Sequence, residues 1–276
     1  MRCSASSLLH QPETPRKGLP LKKLFSIEGK TALITGGSRG IGLMIARGYV
    51  DYGARVYIAS RKQKACDEAA TELSKYGTCI PIAGDISTDA GAKALAAEIA
   101  AREPKLDILV NNAGTNWSMP LAETTDEAFE KVLATNVKSV FNLTRELLPM
   151  LQAAGTDADP ARIINIGSVD GLHVPALETY AYSTSKAALH HLTRVLAKQL
   201  ATLNITVNAV APGPFQSKMM KETLERFGSI IVAQVPRGRI GEPEDMAGIC
   251  IYLASRAGAY VTGAVIPVDG GLSTCL

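Results

Sequence analysis

The chain has 276 residues, a formal net charge of +3 and 46% hydrophobic residues, ordinary values for a globular protein long enough to bury a sizeable core. Aromatics are only 5%, and the densest basic run, Arg16 to Lys23, lies near the N-terminus, so neither base-stacking platforms nor a nucleic-acid face is expected. No stretch of ~18 apolar residues predicts a membrane span; the five cysteines (Cys3, Cys66, Cys79, Cys250, Cys275) lack paired spacing and the four histidines lack ligand spacing, which excludes a disulfide framework and a metal site and suits a reducing compartment.

Residues 1–26 differ in character from the rest. They carry Pro12, Pro15, Arg16, Lys17, Pro20, Lys22 and Lys23, with Glu13 the only acid. The expectation is a disordered extension on a cytoplasmic protein. The alternative is a transit peptide and an organellar matrix, since such peptides are basic and poor in acids. Residues 27–276 read as one domain, with no Pro/Gly/Ser-rich linker inside them.

From Lys30 on, short apolar strands alternate with helices. Thr31–Thr35 is the first strand; a Gly-rich turn and a helix through Tyr52 follow. Ala54–Ser60 is a strand, Lys62–Tyr76 a helix, Cys79–Ala83 a strand, Thr88–Arg102 a helix and Leu106–Val110 a strand. Asp126–Leu151 reads as one long helical region, Arg162–Ile166 as a strand and Thr179–Leu203 as a helix. Ile205–Val210 and Ala264–Val268 complete the strands. Repeated βαβ units with nearly continuous apolar strands imply an α/β protein: a doubly wound parallel sheet of the Rossmann type, three layers, one domain. Such sheets bind ligands at the C-terminal ends of their strands.

The residues at those ends carry the chemistry. After the first strand stands Thr35-Gly36-Gly37-Ser38-Arg39-Gly40-Ile41-Gly42. Gly36 suits a tight turn, Gly40 leaves room for a pyrophosphate, and Gly42 allows close helix packing. The helix that opens there offers free N–H groups to an anion. An NAD site of this fold carries an acid at the end of the second strand. Here that place reads Ala59-Ser60-Arg61-Lys62, with no carboxylate before Asp67. Arg61 and Lys62, joined by Arg39, would instead meet a 2′-phosphate, so the expected cofactor is NADP(H). Asn111-Asn112-Ala113-Gly114 follows the fourth strand and can line a ribose or ring.

Tyr182-Ser-Thr-Ser-Lys186 is the most specific feature. Tyr182 and Lys186 are one turn apart on one helical face. A neighbouring ammonium would lower the phenol's pKa from near 10 and make it a usable general acid. Tyr180 lies about 200° around the helix and has no lysine at that spacing. Ser168 ends the segment Ile163-Ile-Asn-Ile-Gly-Ser168 at a strand edge, where its hydroxyl can donate to a carbonyl oxygen.

Thr-Gly-x-x-x-Gly-Ile-Gly, Asn-Asn-Ala-Gly, Ser168 and Tyr182-x-x-x-Lys186 together resemble the short-chain dehydrogenases/reductases over about Ser26 to Leu272. Asn165-Ile-Gly-Ser168, Ser185-Lys-Ala-Ala-Leu189 and Gly258-Ala-Tyr-Val-Thr-Gly263 resemble the 3-oxoacyl (β-ketoacyl) reductase branch. The resemblance implies Asn136, Ser168, Tyr182 and Lys186 as the catalytic set, with Asn136 holding a water in a proton relay and Lys186 also holding the ribose. It implies cofactor contacts from Gly36, Ser38, Arg39, Gly40, Ile41, Gly42, Arg61, Asp85, Ile86, Asn112, Ala113, Gly114, Tyr182, Lys186, Pro212 and Gly213. Asp85 suits the adenine, or equally a cap on the helix beginning near Ser87. Residues 215–239, with Phe215, Met219, Met220, Leu224, Phe227, Ile230 and Ile231, read either as an apolar substrate lid or as a packed helix face.

The implied activity is NADPH-dependent reduction of a carbonyl to a secondary alcohol. The preferred substrate is a 3-oxoacyl thioester on an acyl carrier protein or CoA, and a homotetramer is expected. The alternatives are a free small ketone, polyketide or steroid-like alcohol as substrate, and a non-catalytic NADP-binding sensor, which would be expected to lack one of the four catalytic residues.

Overall fold

The apolar segments assemble into one seven-stranded sheet. The computed structural model describes residues 20–217 and 220–275. Its strands are β1 (Thr31–Thr35), β2 (Arg55–Ser60), β3 (Cys79–Ala83), β4 (Ile108–Asn111), β5 (Ala161–Ile166), β6 (Ile205–Pro212) and β7 (Val265–Val268). Their order is β3-β2-β1-β4-β5-β6-β7, parallel throughout. The chain runs outward from β1 to β3 and then crosses back to place β4 on the other side of β1. The connections after β1 and β4 therefore leave in opposite directions, and a crevice opens between their C-terminal ends.

Helices cover both faces: α1 (Gly40–Asp51), α2 (Gln63–Leu73), α3 (Asp89–Ala100), α4 (Asp126–Leu133), α5 (Ser139–Ala154), α6 (Tyr180–Leu200), α7 (Lys221–Gln234) and α8 (Pro243–Ala254). Successive strand residues point to opposite faces, and here both faces are apolar. Ala32, Ile34, Val56, Ile58, Ile108 and Val110 form a core with Ile45 and Tyr49 of α1, Leu73 of α2 and Cys250 and Leu253 of α8. Leu33, Tyr57, Leu109, Ile163 and Val207 form a second core with Leu95 of α3, Leu143 and Leu147 of α5 and Leu200 of α6.

Three features differ from the sequence expectation. The region 126–151 is not one helix: α4 and α5 are joined by a π-helical segment, Ala134–Lys138, centred on Asn136. Such wide turns concentrate at functional sites. Helix α8 was not anticipated, although Glu242-Pro243-Glu244-Asp245 carries a start signal. Pro243 takes the first helical position, and the Asp245 carboxylate accepts from the Glu242 N–H at 2.8 Å. It lies on α1 because Gly48 has no side chain; a Cβ there would come 2.6 Å from Ala247 Cβ. Lastly, Leu21–Lys23, expected to lie within the N-terminal extension, form a 3-10 turn, and the Leu24 carbonyl accepts from Ala257 N–H at 3.0 Å. Residues 1–19 of that extension lie outside the described residues.

One buried charge ties the sheet to α8. Arg162 on β5 is 1% exposed; its guanidinium donates to the Leu253 and Ser255 carbonyls at 3.1 and 3.0 Å and to Asp159 at 2.8 Å. Those carbonyls end α8 and would otherwise be buried unpaired. Arg162→Met keeps the bulk and loses the donors. The expected cost is about 2–4 kcal/mol, read as a lower urea midpoint at constant slope; an unchanged midpoint would remove Arg162 from this role.

Candidate active site

The glycine-rich turn closes the C-terminal end of β1. Gly36 and Gly40 have φ of 67° and 55°, which L side chains rarely adopt. At Gly42 the constraint is space: a Cβ would overlap the Gly36 carbonyl and the Asn112 amide. Gly37, passed over in the sequence reading, is constrained similarly, since its Cβ would sit 2.6 Å from Ile58 of β2. Helix α1 starts at Gly40 with no acid in its first turn, which leaves its N-terminus open to an anion.

Asn112 fastens this turn to β4. Its Nδ2 donates to the Thr35 and Gly36 carbonyls at 2.8 and 3.3 Å. Thr35 Oγ1 in return accepts from the N–H groups of Asn112 and Ala113, both at 3.0 Å. The sequence reading places Thr35 at the end of the first strand and at the head of the turn motif but gives its hydroxyl no role.

At the end of β2, Arg61 and Lys62 are exposed, as is Arg39 in the turn, and none has an ion pair among the described residues. Asp85 is exposed after β3. Burial alone would raise its carboxyl; hydrogen bonds from Ser87 and the charge of Arg61 outweigh burial and hold it below its ordinary value. The cap of α3 is Thr88, which accepts from Gly91 N–H at 3.1 Å, so Asp85 is not that cap. Ile86 turns its side chain into the core at 7% exposure, which leaves only its backbone for a ligand. Pro212 ends β6, and Gly213 N–H donates to the Val268 carbonyl at 3.0 Å.

Asn136, Ser168, Tyr182 and Lys186 converge at the C-terminal edge of the sheet. Lys186 is buried on α6, and its Nζ donates to the Ile166 carbonyl at 2.8 Å and lies 5.5 Å from the Tyr182 ring centroid. Gly114 faces the same group: a Cβ there would be 3.7 Å from Lys186 Nζ and 3.2 Å from Asn136 Oδ1. Asn136 is 1% exposed. Its Nδ2 donates to the Thr115 carbonyl and to Ser185 Oγ, and its Oδ1 accepts from Thr115 N–H, each at 2.9 Å. The side-chain amide is thus committed to holding α6 and the loop after β4 together. Tyr180 points away and donates to Glu178 at 2.7 Å.

The electrostatics differ from the expectation that Lys186 lowers the Tyr182 pKa. Burial pushes the Tyr182 phenol up to about 12; the hydrogen bond with Ser168 works against that rise, and Asp170 adds to it. Burial pushes Lys186 down to about 8, against the pull of Asp170. In the protein's own field desolvation wins, because Lys186 is buried, Tyr182 is partly so, and the ammonium stands off the ring.

Sequence reasoning also missed a polar ladder beneath the site. Asn111 Nδ2 donates to Asn165 Oδ1, and Asn165 Nδ2 donates to Thr193 Oγ1, both at 2.9 Å, which joins β4, β5 and α6. The segment read either as an apolar substrate lid or as a packed helix face holds both buried and exposed apolar side chains. Phe215 is 2% exposed against Gly241, whereas Phe227 and Ile230 of α7 are exposed; Met219 lies outside the described residues.

A doubly wound sheet with a glycine-rich turn at its switch point and a Ser–Tyr–Lys cluster beside it defines a dinucleotide-dependent oxidoreductase. Comparison with known proteins agrees. Residues 36–273 match the family model described as enoyl-(acyl carrier protein) reductase. The chain is 49% identical over 249 residues to the rhamnolipids biosynthesis 3-oxoacyl-[acyl-carrier-protein] reductase of Pseudomonas aeruginosa, covering 90% of this chain and 97% of that one. It is 36% identical to a tropinone reductase homolog of Arabidopsis thaliana, covering 91% and 95%. A solved Pseudomonas aeruginosa RhlG/NADP active-site complex superposes with a TM-score of 0.89 at 48% identity, covering 91% and 99%. The chain belongs to the short-chain dehydrogenase/reductase family and is an oxidoreductase.

Gly42→Ala tests the turn. Its methyl must part Gly36 from Asn112, so dinucleotide affinity should fall at least ~10-fold, about 1.4 kcal/mol, in a fluorescence titration. Unchanged affinity would place the cofactor elsewhere.

Proposed function

We propose that this protein uses NADPH to reduce a ketone to a secondary alcohol, and that its preferred substrate is a 3-oxoacyl thioester on an acyl carrier protein or CoA. The observation that carries the reading is the meeting of Ser168, Tyr182 and Lys186 beside Gly114 at the crevice edge. The likeness to the rhamnolipids biosynthesis 3-oxoacyl-[acyl-carrier-protein] reductase supports the substrate class.

The chain fits the cofactor. The Gly36–Gly42 turn and the open α1 N-terminus suit a pyrophosphate. Exposed Arg39, Arg61 and Lys62, with no acid at the end of β2, suit a 2′-phosphate. Asp85 and the Ile86 backbone would flank the adenine, and Asn112–Gly114, Pro212 and Gly213 the ribose and ring. Hydride transfer is the chemistry the bound cofactor supplies.

The chain's own groups handle the oxygen and the proton. Ser168 donates to the substrate oxygen as negative charge grows there. Tyr182 gives its proton to the new alkoxide; burial keeps the phenol protonated until it is needed. Lys186 then stabilises the phenolate and holds the ribose, so its effect on Tyr182 acts during transfer rather than at rest. Asn136, placed in the π-helical turn next to Lys186, supports proton resupply through water.

A second reading is reduction of a free ketone, favoured by the 36% identity to a tropinone reductase homolog. We also place the protein in the cytoplasm, in keeping with the free cysteines Cys66, Cys79 and Cys250. As for assembly, we propose a homotetramer, for which the partly exposed apolar strand β7 and the fully exposed Tyr260 offer surface.

Absorbance of NADPH consumed with acetoacetyl-CoA, beside NADH and a panel of free ketones, is the primary test. Turnover with the thioester and preference for NADPH are expected; activity on free ketones alone would transfer the assignment to the second reading. Tyr182→Phe should lower turnover ~10²–10⁴-fold with NADPH affinity unchanged, and near-normal turnover would remove Tyr182 as the donor.

The pH dependence has a definite sign. Tyr182 stays protonated up to about 12, whereas Lys186 loses its proton near 8. Reductive kcat/KM should therefore fall as pH rises through about 8, and Lys186→Arg should remove that limb, even if at lower activity. A limb unmoved by the substitution would assign it to another group.

A further inference from the structure

His190 takes no part in the chemistry above, yet it lies directly beneath it. It stands one helical turn beyond Lys186 on α6 and is 2% exposed, and neither ring nitrogen has a hydrogen-bond partner of normal geometry among the described residues. The ring is instead pressed against main chain. A Cβ on Gly167 would overlap His190 Nε2, and one on Gly171 would come 2.8 Å from His190 Cε1. Neither glycine has a positive φ, so backbone conformation does not demand glycine there; space does, set by the imidazole at Gly167 and by the imidazole together with the α6 main chain at Gly171. These two glycines bracket the turn Ser168–Asp170. At the Gly171 end the turn also rests on α6 itself, where a Cβ would lie 2.7 Å from Ala187 N and from the Lys186 carbonyl carbon.

We propose that His190 is a positioning residue: its ring is the template against which the Ser168 turn is seated, setting the distance from Ser168 to Tyr182 and Lys186. This rests on those three residues being the reacting set. The seat requires an uncharged ring. The cations facing it are Lys186 and Arg194, both on α6; from the turn, the Gly171 backbone weakly favours charge. The acid of that turn, Asp170, acts on Lys186 and Tyr182. Burial, helped by Lys186, brings the imidazole down to about 4. A proton gained in that range would place an unpaired cation beside Lys186 and push the turn off the helix.

A double-mutant cycle tests the contact. Gly167→Ala alone drives a methyl into the ring and should cut kcat at least ~30-fold while NADPH affinity stays within ~2-fold. His190→Ala alone loosens the turn and should cut kcat ~10-fold. In the double variant the methyl has room, so adding Gly167→Ala to His190→Ala should cost under ~3-fold. Independent, multiplying losses overturn the proposal. Should Gly167→Ala fail to fold, the acid limb decides. Wild-type kcat should fall reversibly as pH drops toward about 4, and His190→Asn should lack that limb; identical limbs overturn the proposal. An inactive wild type across the ketone panel would sink the reductase reading itself, an outcome distinct from either result.

Discussion

The crevice between β1 and β4 depends on one reciprocal set of hydrogen bonds. Thr35 Oγ1 accepts from the Asn112 and Ala113 N–H groups, while Asn112 Nδ2 returns two bonds to the Thr35 and Gly36 carbonyls. Where a doubly wound sheet reverses, the two strand ends diverge and their backbone groups lose ladder partners. A threonine on one side and an asparagine on the other replace those partners and fix the separation of the glycine turn from the Asn112–Gly114 wall. Gly42 completes the closure, since a side chain there would occupy the place of the Asn112 amide.

From that point buried polar contacts reach α6 in steps. Asn111, Asn165 and Thr193 link β4 and β5 to the middle of α6. Asn136 links the loop after β4 to Ser185, and Lys186 reaches the last carbonyl of β5. Buried polar groups are costly unless paired and directional once they are, so such a network suits a helix whose tyrosine must stand at one distance from a serine on another element. The π-helical turn serves the same end. Widening the helix at Asn136 aims its amide at Thr115 and Ser185 together.

Desolvation then sets the charge states. The same burial that pushes Tyr182 up to about 12 pushes Lys186 down to about 8, since low polarity disfavours charge of either sign. A neutral phenol beside a lysine that is charged near neutrality suits a resting proton donor, with the cation placed to receive the phenolate.

Much of this was legible in residue order alone. Strands buried on both faces need unbroken apolar runs, which is why Thr31–Thr35 and Ile163–Ile166 announced themselves and the βαβ order followed. Gly36, Gly40 and Gly42 were legible because tight turns and close packing exclude side chains locally. Tyr182 and Lys186 were legible because a helix turn spans four residues, and the missing acid after Ser60 because one position decides it. What depended on distant chain was not legible. Gly167 has no room for a side chain because His190 lies against it, and Gly171 because His190 and the α6 backbone do; the Asn136 amide reaches Thr115 and Ser185 from its wide turn, and α8 finds its seat on Gly48 of α1. The sequence by itself determined the sheet, the turn and the pairing of tyrosine with lysine, all set by near neighbours along the chain. Only the tertiary structure decided the pKa values of that pair and the seat of the Ser168 turn, because burial and contact between segments far apart in sequence have no local signature.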